Sequence, residues 1–571
     1  MILLGINEGM NSSVVVLRDG EIIFALQEER MNKIKEYAGF PEQALDFTMQ
    51  YLGISNRDVD AVCLSNMGNP SLSREDYNDR YDLCADRPRK SGLLVRAMRA
   101  LRRRIYKQGR HVKFAEEYLA EHGFASTPTH RFNHHFLHAA SAYYGMRSNA
   151  TDPHLVMTLD GGGDGDCAHI YVVRDGEFEQ IAKTSQGNSI GNLYSAMTHY
   201  MGMKPHEHEY KLMGLAAYSK KDYCLPVIDK LRGYLDIDPD NPLCLKRKIS
   251  EPTSCIGYRL ARDFARERFD NLAGGMQFFT EELMVQLVKN AVRETGIKKV
   301  VVAGGVFMNV KANKIISELP EIEYFNVMPS CGDETLPFGA VWHMYATANP
   351  DKASSMGLKT FCLGPKADFD MEEARGLHVN SGLKFDKLEN PAEEIAKLMN
   401  DGQIVARCVG PMEFGARALG NRSLLADPSR HSIVPYINNI IKNRDFWMPF
   451  APAIMHDDAE TYIKVPNSLS SRLSPFMMHT FNTTECRGDI VCGIHAYDMT
   501  ARAQTVDPVS NPEFYQVLEN YKKLRGNGVS LNTSFNLHGL PIVMGTIDAI
   551  HVLLNSGLKY LVVEDTLITK E

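Results

Sequence analysis

The sequence predicts an α/β protein: a duplicated nucleotide-binding domain over residues 1–350, a linker over 351–374, and a smaller α+β domain over 375–571. Three observations predict it: a strand-loop-strand pattern that occurs twice, a helix leading into a buried strand, and a change of character after a turn-rich segment. In the first copy, Ile2-Leu-Leu-Gly-Ile-Asn7 runs through a polar turn into Ser13-Val-Val-Val-Leu17, and Arg18-Asp19-Gly20 folds the chain back into Glu21-Ile-Ile-Phe-Ala-Leu26. In the second, Leu155-Val-Met-Thr-Leu-Asp160 is followed by a Gly-rich turn, His169-Ile-Tyr-Val-Val173, Arg174-Asp175-Gly176 and Glu177-Phe-Glu-Gln-Ile181. Each reads as an apolar strand, a loop, and a hairpin closed by a tight turn. A duplicated unit of this kind with phosphate-sized loops is the signature of the actin and sugar-kinase (ASKHA) type of fold. There the two loops face each other across a cleft and hold the phosphates of ATP, so an ATP-using enzyme is expected.

The second observation extends the α/β reading to about 347. The amphipathic stretch Met276–Val292 precedes the continuous apolar run Lys299-Val-Val-Val-Ala303, as a helix before a buried parallel strand would. The third sets the boundary. Ala348-Asn-Pro-Asp-Lys-Ala-Ser-Ser-Met-Gly357 is polar and rich in turn formers. Beyond it come the strand-like Ile404–Cys408, a Gly- and Arg-rich segment to Arg422, and strands expected near 452, 491 and 528.

Composition limits the partners. A net charge of −7 gives no global attraction to nucleic acid or anionic membranes, so neither is expected as a partner. Eleven cysteines without a CxxC pair make neither a disulfide framework nor a zinc knuckle, which fits a reducing cytoplasm. No apolar run approaches the ~18 residues needed to span a bilayer. The chain enters a strand without a basic leader, so export is not expected. One local exception is a run from Arg87 to Lys113 with eleven Lys or Arg and no Asp or Glu. A solvated helix face or inserted loop is its default reading; attraction of an acidic acceptor or of RNA is the alternative.

Candidate chemistry lies in three groups. His134 and His138 are four apart in a helical stretch, so both imidazoles share one face and suit a single divalent metal. Asp160, at a strand end, and Asp333, ahead of a helix, can bring carboxylates to the same cleft, leaving coordination positions for water or a phosphate oxygen. Gly161, Gly162 and Gly163 can bring backbone N–H groups close to phosphate. Gly304 and Gly305 offer a second close approach beneath the adenosine, with Asn309 free to hydrogen-bond. In the second domain Arg417, Arg422, Lys442, Arg444, Arg502, Asn532 and Ser534 suit a small phosphorylated anion if they converge. The histidines of His206-Glu-His-Glu-Tyr-Lys211 are structural by default.

These motifs resemble the carbamoyltransferases of antibiotic and nodulation-factor biosynthesis. The matching strings include Glu28-Glu-Arg30 with Lys33 and Lys35, His134-xxx-His138-Ala-Ala, Leu159-Asp-Gly-Gly, Lys211-Leu-Met-Gly-Leu-Ala, Arg417-Ala-Leu-Gly-Asn-Arg-Ser and Asn532-Thr-Ser-Phe-Asn. The resemblance implies an N-terminal domain like the protein that makes threonylcarbamoyladenosine in tRNA and a C-terminal domain like threonylcarbamoyl-adenylate synthase. It implies that Arg417, Lys442, Arg444, Arg502, Asn532 and Ser534 bind carbamoyl phosphate. The released carbamate then attacks the α-phosphate of ATP, giving carbamoyl adenylate and pyrophosphate, and an acceptor hydroxyl or amine displaces AMP. It further implies iron or another divalent metal on His134, His138, Asp160 and Asp333, catalytic roles for Lys35, His138 and Asp160, and Lys211 in the nucleotide site. Magnesium is compatible with the ATP, the acceptor is a small molecule that can be anionic, and a homodimer is compatible with all of this. Three positions depart from the pattern. Met10 stands where many members have histidine, Met448 where some have arginine, and Leu540 where glutamate is usual. A tRNA threonylcarbamoyl transferase and a degenerate ATP-binding protein without turnover are the competing readings.

Overall fold

The computed structural model describes residues 1–67, 115–379, 381–442, 445–469, 471 and 473–570. The basic run 87–113 therefore lies outside the described residues.

The two repeats fold alike. Strands β1 (Ile2–Asn7), β2 (Ser13–Arg18) and β3 (Glu21–Gln27) form an antiparallel meander; β4 (Ala61–Ser65) and β5 (Thr129–Phe132) add on parallel to β1, giving the order β3-β2-β1-β4-β5. Strands β6 (His154–Gly163), β7 (Asp166–Arg174) and β8 (Glu177–Ser185) form the second meander. After a small ribbon of β9 (Leu235–Asp238) and β10 (Asn241–Arg247), strands β11 (Lys299–Ala303) and β12 (Tyr324–Val327) join parallel to β6. The order β12-β11-β6-β7-β8 repeats the first sheet. The two Arg-Asp-Gly turns close the hairpins because both central residues take positive φ: Asp19 52° and Gly20 94°, Asp175 50° and Gly176 81°. After Lys299, β11 is apolar and buried from Val300 to Ala303 because strands flank it on both edges and packed helices cover it.

Two helices cross beside these sheets and carry the site. His134–Met146 starts behind Asn133, whose side chain accepts a hydrogen bond from Phe136 N at 3.1 Å. Leu336–Ala348 begins just after Asp333. At their crossing a Cβ on Gly339 would lie 2.1 Å from the Leu137 carbonyl oxygen, so only glycine permits the approach. That approach brings Asp333 to the histidine-bearing face.

The C-terminal part is an eight-stranded mixed sheet. Its strands are β13 (Leu383–Lys387), β14 (Val405–Cys408), β15 (Arg422–Ala426), β16 (Ala451–Met455), β19 (Gln504–Val506), β20 (Val529–Ser534), β21 (Tyr560–Val563) and β22 (Thr566–Lys570). They run in the order β13-β22-β21-β14-β15-β20-β16-β19, and β17 (Phe481–Asn482) pairs separately with β18 (Thr500–Ala501). The strand expected near 491 is instead the 3-10 segment Glu485–Gly493, in which Ile490 and Cys492 are buried through turns. Short apolar runs do not separate these two conformations. The turn-rich segment after Ala348 contains a 3-10 helix, Pro350–Ser355.

Candidate active site

The histidine helix is held at its start by the loop of the opposite repeat. Asp164 accepts hydrogen bonds from His134 N at 2.8 Å and from Met67 N at 3.1 Å, so the β6–β7 turn fixes the helix end against β4. Asn66, just beyond β4, accepts from His134 Nδ1 at 2.9 Å, which leaves His134 Nε2 facing the carboxylates. His134 Nε2 lies 3.3 Å from Asp160 Oδ2 and 3.6 Å from Asp333 Oδ1, and His138 Nε2 lies 3.6 Å from Asp333 Oδ1. One ligand atom from each of the four residues falls within 4.8 Å of the others. The remaining Asp160 oxygen accepts from Gly305 N at 2.9 Å, which ties the first Gly-rich loop to the second.

The site is electrostatically biased towards a cation. Burial opposes the charged form of His134, but the Asp333 and Asp160 carboxylates outweigh it and raise the imidazole from 6.5 to about 9. Burial pushes Asp160 up, yet the three neighbouring imidazoles of His134, His138 and His135 hold it well below the usual carboxylate range. His138 is fully buried, and neither ring nitrogen has a hydrogen-bond partner among the described residues. An orphaned buried imidazole beside two carboxylates and a second imidazole fits a divalent metal, because an ion accepts the lone pair that the protein leaves unused.

One cavity of about 550 Å3 runs from this cluster to the C-terminal sheet. Asp160, Gly161, Gly162, Gly305, Asn309, Lys211 and Lys35 line it, as do Arg417, Arg502, Asn532 and Ser534 of the C-terminal part. Gly163 and Gly304 stand behind the lining and serve packing: a Cβ would lie 2.1 Å from His134 Cγ at the first and 2.2 Å from the Leu159 carbonyl oxygen at the second. Asn309 is not free. Its amide exchanges hydrogen bonds with Gln277 at 2.8 and 3.0 Å and caps a helix through Ala312 N at 3.1 Å. Lys35 lies 3.8 Å from Glu207, and Lys211 pairs with Asp445 at 3.0 Å. His206 and His208 reach the cavity wall, as do the three departures, Met10, Met448 and Leu540.

The arginine loop divides its two guanidiniums between different tasks. Arg422 is fully buried and spends its donors on main-chain oxygens of Met544, Gly410 and Pro365 at 2.9–3.0 Å, so it is structural and does not join the anion group. Arg417 instead lines the cavity with its Nε unpartnered among the described residues, and burial lowers its guanidinium below the ordinary arginine range. Glu413 builds the loop: one oxygen accepts from Leu419, Asn421 and Arg422 N at 2.7, 2.6 and 3.0 Å. The side chain of Lys442 and the whole of Arg444 lie outside the described residues. Sequence reasoning passed over Asn66, Glu413 and Glu334. For Glu334 a signal was present, since it adjoins Asp333 on a turn that faces a cleft.

A duplicated two-sheet fold with one cavity lined by both a His/Asp cluster and an arginine loop is the architecture to which the following likenesses apply. Residues 3–342 match the family model described as Carbamoyltransferase N-terminus, and residues 396–570 match Carbamoyltransferase C-terminus. The chain belongs to the carbamoyltransferase family and is an enzyme of that family. It is 31% identical to nodulation protein NolO of Bradyrhizobium diazoefficiens, over 77% of this chain and 79% of that protein. It is 28% identical to nodulation protein NolNO of Sinorhizobium fredii, over 98% and 79%. To 3'-hydroxymethylcephem-O-carbamoyltransferase of Amycolatopsis lactamdurans it is 27% identical, over 46% and 48%. Among solved structures, component A of the (R)-2-hydroxyglutaryl-CoA dehydratase of Acidaminococcus fermentans matches 61% of this chain and 99% of its own at 15% identity and a TM-score of 0.34. The fold assignment rests on the repeated strand order of this chain itself. No helix among the described residues is long and apolar enough to cross a membrane.

Proposed function

We propose that the enzyme moves a carbamoyl group from carbamoyl phosphate, through carbamoyl adenylate, to a hydroxyl or amine of a small natural product. The observation that carries this reading is the single cavity, about 550 Å3, lined both by the His/Asp cluster with its glycine loops and by Arg417, Arg502, Asn532 and Ser534. Carbamate decomposes in water, so an enclosed path between two stations is what the chemistry requires.

At the first station Arg417 and Arg502 hold the phosphate by charge-assisted hydrogen bonds. Asn532 uses its amide N–H on Ala418 O and Gln504 Oε1, at 3.2 and 2.8 Å, which leaves its buried Oδ1 to accept from the carbamoyl amino group. Water cleaves the C–O bond to phosphate, giving carbamate and inorganic phosphate. At the second station the N–H groups around Gly161, Gly162 and Gly305 receive the ATP phosphates. A carbamate oxygen attacks the α-phosphorus and pyrophosphate leaves. The acceptor oxygen or nitrogen then attacks the carbamoyl carbon and AMP leaves. His134, His138, Asp160 and Asp333 would hold a divalent ion, iron by the family resemblance, which supplies Lewis-acid polarisation when bound. Lys35 and Lys211, cations on the same cavity wall, are assigned to the nucleotide in this reading. Soluble substrates of this kind fit a cytoplasmic enzyme. The name of the cephem relative specifies an O-linked product on a hydroxymethyl group, which favours a hydroxyl acceptor.

The test is pyrophosphate release from ATP by the iron-loaded protein, with and without carbamoyl phosphate. Release that requires carbamoyl phosphate supports the two-station reaction. Release that ignores it, or none with a panel of hydroxylated acceptors present, overturns it.

A further inference from the structure

Arg30 is a cation that the reaction above leaves without a task. It sits on the short helix Glu29–Asn32 directly after β3, is 2% exposed, and belongs to the cavity wall together with Gln27 and Glu29. Its guanidinium is forked between the two parts of the chain. Nη1 pairs with Glu29 Oε1 at 3.0 Å. Nη2 donates to Gln27 Oε1 at 3.2 Å and to the Gly415 carbonyl oxygen, 385 positions away, at 2.6 Å. Gln27 Oε1 also accepts from Gly415 N at 3.1 Å. The first repeat thus grips Gly415 at both its N–H and its C=O.

Gly415 is where the loop turns towards Arg417. Its φ is 85°, and a Cβ there would lie 2.4 Å from Ser330 Oγ, so the backbone is pressed against the second repeat as well. The next residue, Ala416, donates its N–H to Ser330 Oγ at 3.1 Å. On the far side of Arg417, the Glu413 carboxylate accepts from Leu419, Asn421 and Arg422 N. Arg417 therefore stands between an anchor built by the N-terminal part and an anchor built by its own loop. A side chain on irregular backbone keeps a working position only while the groups that support it are themselves held.

We infer that Arg30 is a positioning residue for the phosphate station: through Gly415 it sets the place of Arg417, so that the anion site of the C-terminal part is complete only where that part is docked on the first repeat. The inference rests on the two-station reading above. It gives the docking a chemical purpose, since carbamate then forms only where the path to the second station is enclosed. Arginine suits the task because its planar fork reaches a carboxylate, an amide oxygen and a carbonyl oxygen at once, which a single ammonium group does not.

The test uses full-length, metal-loaded protein. Arg30→Met keeps the length of the side chain and removes its contacts to Glu29, Gln27 and Gly415. KM for carbamoyl phosphate in pyrophosphate release is expected to rise about 10- to 100-fold, while KM for ATP and metal content stay as in the wild-type protein. Hydrogen exchange of the Ala416 amide is expected to quicken, and that of the Leu419 and Asn421 amides to hold. Arg30→Lys is expected to recover part of the loss in KM. Gln27→Leu, which releases Gly415 N and leaves the Glu29–Arg30 pair in place, is expected to raise the same KM about fivefold. An unchanged KM for carbamoyl phosphate in folded Arg30→Met protein overturns the inference, as does a parallel rise in both KM values, which would mark a general structural role. If Arg30→Met does not fold, Arg30→Lys and Gln27→Leu decide by the same two outcomes. Absence of carbamoyl-phosphate-dependent release from the wild-type protein is a separate result: it removes the two-station reading, and exchange of the Ala416 amide then decides alone whether Arg30 positions the loop.

Discussion

Ser330 and Ala416 are 86 positions apart, yet the Ser330 hydroxyl accepts the Ala416 N–H at 3.1 Å and joins the turn that carries Asp333 to the loop that carries Arg417. Ser330 holds this place with a φ of 50°, a conformation that non-glycine residues adopt at a cost. The link puts the His/Asp cluster and the Arg417 guanidinium, the proposed metal and phosphate ligands, on one path.

Ser330→Ala should therefore loosen the Arg417 loop without unfolding the protein. The variant loses two hydrogen bonds, the one accepted from Ala416 N and the one donated to Glu334 Oε1, each worth about 1 kcal/mol, so KM for carbamoyl phosphate should rise at least about fivefold while metal content stays unchanged. Steady-state kinetics with metal analysis checks both. An unchanged KM would mean that the loop is held without Ser330.

The metal cluster gives a graded series. His138→Ala should abolish stoichiometric iron binding and pyrophosphate release together. Asn66→Ala, which removes only the 2.9 Å partner of His134 Nδ1, should weaken metal affinity about 10- to 100-fold. Gly163→Ala, which would set a methyl group 2.1 Å from the His134 ring, should also lose metal by displacing a ligand. Metal titration followed by an anomalous or spectroscopic signal orders the three, and full binding by His138→Ala would rule out the cluster as the metal site.

Glu413→Ala removes the acceptor of three buried N–H groups and leaves them unpaired. The expected cost is about 2–4 kcal/mol of stability with a parallel loss of carbamoyl phosphate binding. Chemical denaturation and binding measurements on the same preparation test the coupling; destabilisation with normal binding would separate the loop's fold from its function.

Stability should fall on acidification through His154. Burial lowers this imidazole from 6.5 to about 4, and its contacts suit the neutral form: Nε2 accepts from Ser148 N at 3.1 Å while Nδ1 donates to Asp152 O at 2.9 Å. A folded-state value below the unfolded one means that the unfolded chain binds the extra proton. This stabilisation is complete above pH 6.5 and is lost as the pH drops through about 4. Denaturant midpoints across that range should therefore slope less steeply in His154→Gln than in the wild-type protein; identical slopes would assign the acid sensitivity elsewhere.

Local pattern made much of this protein legible. Strand β11 matches the apolar run Lys299–Ala303 residue for residue, and both Arg-Asp-Gly turns close hairpins because composition dictates their backbone angles. His134 and His138 share a face because helical periodicity requires it, and their convergence with Asp160 and Asp333 follows the expected cleft geometry. Pattern failed where a side chain's partner lies far along the chain. Asn309 was expected to be free and is engaged by Gln277, while Arg422 looked equivalent to Arg417 and is consumed by buried carbonyls.

The sequence by itself determined the repeated elements, the helix face shared by His134 and His138 and the polar inventory of the cavity, because period, turn chemistry and residue type act over a few neighbours. Only the tertiary structure decided which of those polar groups remain free. Among the described residues, Arg417 Nε, Asn532 Oδ1, Glu334 Oε2 and the ring nitrogens of His138 are left without hydrogen-bond partners by packing between distant segments, and a hydrogen bond is satisfied or forfeited only when both partners are in place.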